Sequence, residues 1–190
     1  MVNALKKLRD FLRTCERTVF LMLIAVLFMG FLAAFTLLSN GYHFGINRSP
    51  SAKLGIYWIS PLPLQLSVGD SITLRLPNQT WLQNRDYGID QEPLLKTVMA
   101  IGGDYLLTKS REIFVCSSAT WNNDCHSLGH CLEKDSQGQP IPCQQWHGEV
   151  IPNGYYYVGS QRVFNALDSR YFGLVPRNLL ENRVDLLWEF

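Results

Sequence analysis

The chain has 190 residues, of which 47% are hydrophobic, with 17 basic and 16 acidic side chains and a formal net charge of +1. This length accommodates one ordinary domain and a small appendage, and the apolar content excludes a disordered chain. The near-neutral balance lacks the basic excess of nucleic-acid-binding domains, so we expect no nucleic-acid partner.

The first predicted element is an apolar helix near the N-terminus. Residues 19–38 (VFLMLIAVLFMGFLAAFTLL) contain no charged side chain and a single hydroxyl, that of Thr36. At ~1.5 Å per residue this run covers the ~30 Å hydrocarbon core of a bilayer, and it lacks the polar face of a buried core helix. A cleaved secretory signal has a shorter apolar region of about 7 to 15 residues, so we predict an uncleaved transmembrane helix, with the cleaved signal as the alternative.

Charges on either side of this run predict its orientation. Residues 1–18 carry five basic and two acidic side chains, whereas the first basic residue after the run is Arg48. The positive-inside rule then places residues 1–18 in the cytoplasm and residues 39–190 across the membrane. The exported part has 12 basic and 14 acidic residues, so the neutral total combines a positive tail with a slightly negative domain.

Residues 39–190 favour a single, mainly β domain. Short runs rich in β-branched and aromatic residues alternate with Gly, Pro, Asn and Asp turn signals, and no helical periodicity stands out. The predicted strands cover residues 55–60, 71–76, 95–101, 105–108, 112–115, 155–159 and 184–188. Residues 77–93 are polar and bounded by prolines, which predicts a surface loop.

Four of the five cysteines lie within 28 residues of the exported part: Cys116, Cys125, Cys131 and Cys143. An even number of cysteines in an oxidising compartment predicts two disulfides, and the three ways of pairing them remain open. The segment around them, about residues 109–147, is polar and turn-rich. We interpret it as an insertion that makes no core of its own and is held by cross-links, with docking of a protein partner as a second role.

Zinc binding is the alternative for this segment, because His126, His130 and His147 lie among the cysteines. Their spacing does not match a CxxC pair followed by a pair of histidines. We therefore predict disulfides, no metal site and no cofactor.

A lysine inside an apolar strand is the first candidate for chemistry. A nucleophilic serine needs a neighbouring base, and burial can lower a lysine pKa by ~3 to 5 units, which makes the neutral amine accessible. Lys96 lies in the apolar run LLKTVMAI and precedes the turn GGD at residues 102–104. Because a strand lysine more often faces solvent, this pattern needs the support of other motifs.

Three segments in order resemble the signal peptidase family of serine-lysine proteases, and within it the conjugative-transfer, TraF-type branch of pilin peptidases. NRSPSAKLGIY at residues 47–57 is similar to the branch's pattern of Asn, a hydroxyl residue, Pro-Ser and Gly-x-Tyr. KTVMAIGGD at residues 96–104 is similar to the strand in which the lysine lies eight residues before the Asp of a Gly-Asp turn. DSRYFG at residues 168–173 resembles the family's Asp-Ser-Arg-Tyr-aromatic-Gly box, and the likeness extends from residue 20 to the C-terminus apart from the cysteine segment.

The resemblance implies a signal-peptidase-like β-fold and a role for each motif residue. Ser51 would be the nucleophile and Lys96 the general base, while the backbone N–H of Ser51 and the side chain of Ser49 would bind the oxyanion. Asp168 and Arg170 would form a supporting ion pair that holds the nucleophile and lysine segments in register.

The chain departs from the family pattern around these residues. Lys53 stands where proline is usual and Ala52 where methionine is common, and Ala166 replaces a serine that hydrogen-bonds the lysine in related signal peptidases. Asn165 or a water would have to substitute for that serine. A carboxylate close to Lys96 would also raise the pKa of the amine and oppose its work as a base.

As a function, the resemblance implies a single-pass serine endopeptidase of the bacterial inner membrane with its catalytic domain in the periplasm. The substrate would be a membrane-inserted precursor polypeptide, a conjugative pilin above all, and conjugation or secretion machinery would be a partner. The acyl-enzyme would be resolved either by water or by the pilin's own amino terminus, which would give a cyclic subunit.

Two other classes of protein remain as alternatives. A catalytically inactive, membrane-anchored β-domain would act as a scaffold in a conjugation or type IV secretion complex, but it leaves the order of the three motifs unexplained. An autoproteolytic repressor-type protein shares the serine-lysine dyad but is soluble, and the apolar run argues against it.

Overall fold

The structure is a computed structural model. It describes residues 2–79, 81–82, 85, 93–118, 124–160, 162–163 and 165–190, with side chains described from residue 16 onward. The chain forms two compact units, Met1–His43 and Phe44–Phe190.

The first unit consists mainly of helix α1, Val2–Ser39. Its segment Glu16–Ser39 has a mean hydropathy of 2.7 and is long and apolar enough to cross a membrane, and it contains the predicted run of residues 19–38. The hydroxyl of Thr36 donates to the carbonyl of Leu32 at 2.8 Å. The run of residues 19–38 therefore satisfies its one hydroxyl internally, as a span in hydrocarbon requires.

The described part of the second unit is mainly β, as predicted. Its strands are β1 His43–Asn47, β2 Gly55–Pro61, β3 Ser71–Leu74, β4 Leu94–Ala100, β5 Tyr105–Lys109, β6 Glu112–Cys116, β7 His126–His130, β8 His147–Val150, β9 Tyr155–Gly159, β10 Val175–Pro176 and β11 Leu180–Glu189. A short helix, α2 (Ser169–Phe172), and a 3-10 turn, Arg177–Leu179, follow β9. All seven predicted strands are confirmed, whereas β1, β7, β8 and β10 were not predicted; much of the predicted loop at residues 77–93 lies outside the described residues.

Two sheets make up this unit. The larger has seven strands in the order β1-β2-β11-β3-β4-β9-β10, and its pairs from β2 to β10 are antiparallel. The smaller is antiparallel, with the order β7-β6-β5-β8. The lysine strand β4 thus lies inside the larger sheet, between β3 and β9.

Strand β9 connects two hydrophobic clusters. Tyr156 and Val158 belong to a cluster with Ile72 of β3, whereas Tyr157 belongs to a second cluster with Leu106 of β5. Successive side chains of a strand point to opposite faces, so adjacent tyrosines reach different clusters. The second cluster is what joins the smaller sheet to the larger one.

The cysteine segment, residues 109–147, is part of this second cluster. It contains β6 and β7, and its Ile113 and Cys131 are fully buried. Its disulfides are Cys116–Cys125 and Cys131–Cys143, which are local pairings with sequence separations of 9 and 12 residues. The predicted pair of disulfides is confirmed, so these sulfurs are not zinc thiolates. Besides being cross-linked, the segment supplies strands and core residues.

Candidate active site

Lys96 lies on the buried face of β4. Leu94, Lys96 and Val98 share that face because side chains alternate along a strand. The lysine is 5% exposed, and its backbone pairs with Ile72 of the neighbouring strand β3. The lysine of the predicted strand therefore points inward rather than to solvent.

The segment between β1 and β2 carries Ser49 and Ser51, and Asn47 organises it. The Asn47 side-chain amide donates to the carbonyls of Ser49 and Lys53, each at 2.9 Å, and its Oδ1 accepts from the Ser49 N–H at 3.1 Å. From β2, the Tyr57 hydroxyl donates to the same Lys53 carbonyl at 2.9 Å. The Asn and Tyr of the motif thus hold the two sides of the serine loop.

The two serines contact each other. Ser51 Oγ lies 2.9 Å from Ser49 Oγ, which also accepts from the Ser51 backbone N–H at 3.4 Å. The bond at 3.4 Å is long and therefore weak. The Ser51 carbonyl accepts from the hydroxyl of Ser160, the residue after β9. Ser160 was not predicted, and no motif around it signals this role.

Ser51 and Lys96 line the same cleft, whose volume is about 420 Å³. Its other lining residues are Ser49, Leu94, Leu132, Lys134, Asp135, Ser136, Ile141, Asn165, Ala166, Leu167 and Tyr171. In the described structure Ser51 Oγ bonds to Ser49, and no hydrogen bond joins it to Lys96 Nζ. The fold brings the two predicted catalytic residues to one cleft without a hydrogen bond between their side chains.

Burial lowers the pKa of the Lys96 amine below its ordinary value. The charge of Asp168 raises this pKa and the charge of Arg170 lowers it, and desolvation is the largest effect. Because the two charges act in opposite directions, Arg170 offsets part of the rise in the Lys96 pKa that the Asp168 carboxylate causes.

Asp168 and Arg170 form a buried, two-pronged ion pair. Arg170 Nε and Nη2 lie 2.8 Å from Asp168 Oδ1 and Oδ2, and the residues are 3% and 2% exposed. Asp168 also caps α2 by accepting from the Arg170 backbone N–H at 3.1 Å. Such charge-assisted pairs are stronger than neutral hydrogen bonds and fix the orientation of both groups.

The DSRYFG box, residues 168–173, contains this pair and is hydrogen-bonded to the cysteine segment. Arg170 Nη1 donates to the His130 carbonyl at 2.9 Å, and the Tyr171 hydroxyl accepts from the Leu132 N–H at 3.1 Å. Gly129 packs against the guanidinium so closely that a Cβ there would lie 3.3 Å from Arg170 Nη1. The resemblance led us to expect a link between the nucleophile and lysine segments, whereas these contacts connect the box to β7 and the residues that follow it.

The structure shows what surrounds the residues that depart from the family pattern, Lys53 and Ala166. Lys53 Nζ lies 2.5 Å from Glu189 Oε2 at the end of β11, an exposed ion pair of little energetic weight. Ala166 and Asn165 both line the cleft, but no hydrogen bond joins Asn165 to Lys96 in the described structure. The serine that Ala166 replaces thus has no protein substitute in this region.

Comparisons with known proteins match most of this chain to one family and to a relative from Escherichia coli. A family model described as "Signal peptidase, peptidase S26" matches residues 15–189. The plasmid transfer protein TraF of Escherichia coli is 25% identical over 162 residues, which are 78% of this chain and 85% of that protein. The crystal structure of a signal peptidase I from Enterococcus faecalis aligns with a TM-score of 0.35 and 15% sequence identity. The alignment covers 65% of this chain and 97% of the Enterococcus chain.

Proposed function

The chain belongs to the signal peptidase S26 family, and we propose that it is a membrane-anchored serine endopeptidase with Ser51 as nucleophile and Lys96 as general base. The observation that carries this proposal is the shared cleft: Ser51 lines it together with Lys96, a residue that is 5% exposed and whose amine pKa is lowered by burial. A lysine whose pKa is lowered loses its proton more readily than an ordinary lysine, which favours its role as a general base.

In the proposed mechanism Lys96 Nζ takes the proton of Ser51 Oγ as this oxygen attacks the carbonyl carbon of the scissile bond. The Ser51 N–H and the Ser49 hydroxyl hold the oxyanion, and a donor of this kind is worth about 3 to 4 kcal/mol in the barrier. The Lys96 ammonium then protonates the leaving amine, which leaves an acyl-enzyme on Ser51.

The contact between the serines implies a movement when substrate binds. Ser51 Oγ bonds to Ser49 Oγ, so attack requires the Ser51 hydroxyl to turn toward Lys96 and the Ser49 hydroxyl to turn toward the oxyanion. Asn47 and Ser160 bond to backbone groups of the loop. The side chains of Ser49 and Ser51 can therefore rotate while the loop backbone stays in place.

Similarity to the plasmid transfer protein TraF supports a conjugative pilin precursor as substrate and conjugation or secretion machinery as partner. If water attacks the acyl-enzyme, the product is linear; if the precursor's own amino terminus attacks, a new peptide bond makes it cyclic. The cyclic product lacks one further water, so the intact mass of the mature pilin distinguishes the two outcomes.

The proposed location is the bacterial inner membrane, with residues 1–18 in the cytoplasm and the catalytic domain in the periplasm. The apolar segment of α1, the basic residues before it and the two disulfides all support this arrangement.

Processing of a co-expressed, membrane-inserted pilin precursor tests the dyad. Ser51→Ala and Lys96→Arg are each expected to lower kcat/KM by at least about 10³-fold, because each removes a group that acts in the transition state. Ser49→Ala is expected to cost about 10²- to 10³-fold. Loss of activity is measured in cells as accumulation of unprocessed precursor, and with purified protein as a decrease in kcat/KM.

Ser136 provides a matched control because it is a serine that lines the same cleft. Ser136→Ala is expected to retain processing. Unchanged processing by Ser51→Ala would instead support the alternative of an inactive scaffold, which the departures at Lys53 and Ala166 would suit.

A further inference from the structure

One wall of the cleft is formed by the loop that the Cys131–Cys143 disulfide closes. The residues of this loop that line the cleft are Leu132, Lys134, Asp135, Ser136 and Ile141. The loop lies outside the three motifs, which supply the serine, the lysine and the ion pair. A substrate bound at Ser51 would therefore meet a surface that the catalytic residues do not define.

Contacts within the loop and to Arg85 hold this surface in place. Arg85 Nη1 donates to Asp135 Oδ2 at 2.8 Å, and the two side chains are 16% and 3% exposed. Asp135 Oδ1 accepts from the backbone N–H groups of Gln137 and Gln139 at 2.9 and 2.8 Å. The Asp135 carboxylate is thus neutralised by Arg85 and occupied with the loop's own backbone.

Lys134 is the charge that remains available in the cleft. The charged residues that line the cleft are Lys96, Lys134 and Asp135. Lys96 is buried and Asp135 is ion-paired, whereas Lys134 is exposed and has no carboxylate within ion-pair distance in the described part of the chain. A lysine ammonium offers three hydrogen-bond donors to a carboxylate that enters the cleft.

We propose that the loop between Cys131 and Cys143 is the specificity element of the cleft and that Lys134 selects substrates with an Asp or Glu side chain within a few residues of the scissile bond. The inference rests on the proposed peptidase function and adds a substrate feature to it. A charge-assisted hydrogen bond to this exposed ammonium gives an expected preference of up to about fivefold in kcat/KM over the matching Asn or Gln peptide.

Cleavage-site profiling tests this inference. The full-length protein in detergent micelles is incubated with a chymotryptic digest of a bacterial proteome, and mass spectrometry identifies the residues around each Ser51-dependent cut. We expect Asp and Glu to be enriched at one position for the unmodified protein and for Lys134→Arg. With Lys134→Glu, that enrichment should disappear and Lys and Arg should become favoured at the same position.

Lys109→Glu is the matched control, because Lys109 is an exposed lysine at the end of β5 outside the cleft lining and its replacement changes the net charge equally. It should leave the profile unchanged. If Lys134→Glu cleaves with the unmodified profile, the inference is overturned while Ser51-dependent cleavage upholds the peptidase. If no cut depends on Ser51, the proposed function fails and the inference fails with it. Lys134 is exposed, so both variants should unfold at the temperature of the unmodified protein.

Discussion

As the proposed general base, Lys96 has to meet two requirements that usually conflict: burial that lowers the pKa of its amine, and access for a substrate. The strand places it on the face that points into the protein, and it lines the same cleft as Ser49 and Ser51. Burial lowers its pKa, while the neighbouring charges of Asp168 and Arg170 act against each other. The charge of Arg170 thereby counteracts part of the rise in the Lys96 pKa that Asp168 causes.

The two members of this pair should have opposite effects on the pH dependence of catalysis. In the proposed mechanism activity requires the neutral amine, so it should rise as the pH passes upward through the pKa of Lys96. Asp168→Asn removes the charge that raises this pKa and should shift the acidic limb of kcat/KM to lower pH; Arg170→Gln should shift it to higher pH. Each change also breaks a buried pair, at a cost of about 3 to 5 kcal/mol in stability.

The measurement is kcat/KM against pH, at temperatures where circular dichroism shows both variants folded. Glu189→Gln is the control because it breaks only exposed ion pairs, those with Lys53 and Arg162, and should leave the acidic limb in place. Shifts in the same direction, or none, would show that the pair acts on structure alone.

Among the elements, the box after β9 and the loop after β7 act as one assembly. Arg170 reaches the end of β7, Tyr171 accepts from Leu132, and Gln144 donates from its backbone to the Arg170 carbonyl at 2.9 Å. The loop that lines the cleft is thus attached to the box at both of its ends, and the Cys131–Cys143 disulfide closes it. The other disulfide, Cys116–Cys125, joins residues that do not line the cleft.

The two disulfides should therefore differ in their effect on activity more than in their effect on stability. Both disulfides close short loops. Removing either one should therefore lower the free energy of unfolding by about 2 to 3 kcal/mol. The two double variants are Cys131→Ala with Cys143→Ala, and Cys116→Ala with Cys125→Ala. Only the first pair of changes loosens the cleft wall, and we expect it to lower kcat/KM at least about tenfold.

Denaturant unfolding and peptide cleavage on the same samples measure both quantities. Equal activity of the two double variants at temperatures where both are folded would contradict a role for the Cys131–Cys143 loop in the cleft.

At the level of the whole molecule, an apolar helix precedes a disulfide-bonded β unit. Four of the five cysteines are paired with one another, which leaves Cys15 outside both disulfides. Thiols in the cytoplasm stay reduced, whereas disulfides persist in oxidising compartments. The distribution of cysteines therefore agrees with the orientation that the flanking charges predict.

Labelling of Cys15 tests this orientation. A membrane-impermeant maleimide should label the protein in inverted membrane vesicles and leave it unlabelled in intact spheroplasts, because Cys15 is predicted to face the cytoplasm. Cys15→Ser should abolish the signal, since the other cysteines are in disulfides. Labelling in spheroplasts would reverse the proposed topology.

Many of the strands could be predicted because short local patterns of residue type and spacing indicate them. The predicted strand at residues 155–159 matches β9, and that at residues 55–60 differs from β2 by one residue. By contrast, β7 and β8 (HSLGH and HGEV) are short and polar, so nothing in their own residues distinguishes them from loop. They become strands because β6 and β5 lie beside them and supply backbone partners.

By itself the sequence determined the apolar helix, the mainly β domain, an even set of cysteines for two disulfides and the three motifs that carry the family likeness. These follow from neighbouring residues, whose hydropathy and spacing act over a few positions. Only the tertiary structure decided which cysteines pair, that Ser51 and Lys96 line one cleft, that Arg170 offsets Asp168, and that the disulfide-closed loop forms a wall of that cleft. Each of these depends on contacts between segments that are separated in the chain. A local sequence pattern does not specify which separated side chains will be buried together, form a pair or face one another.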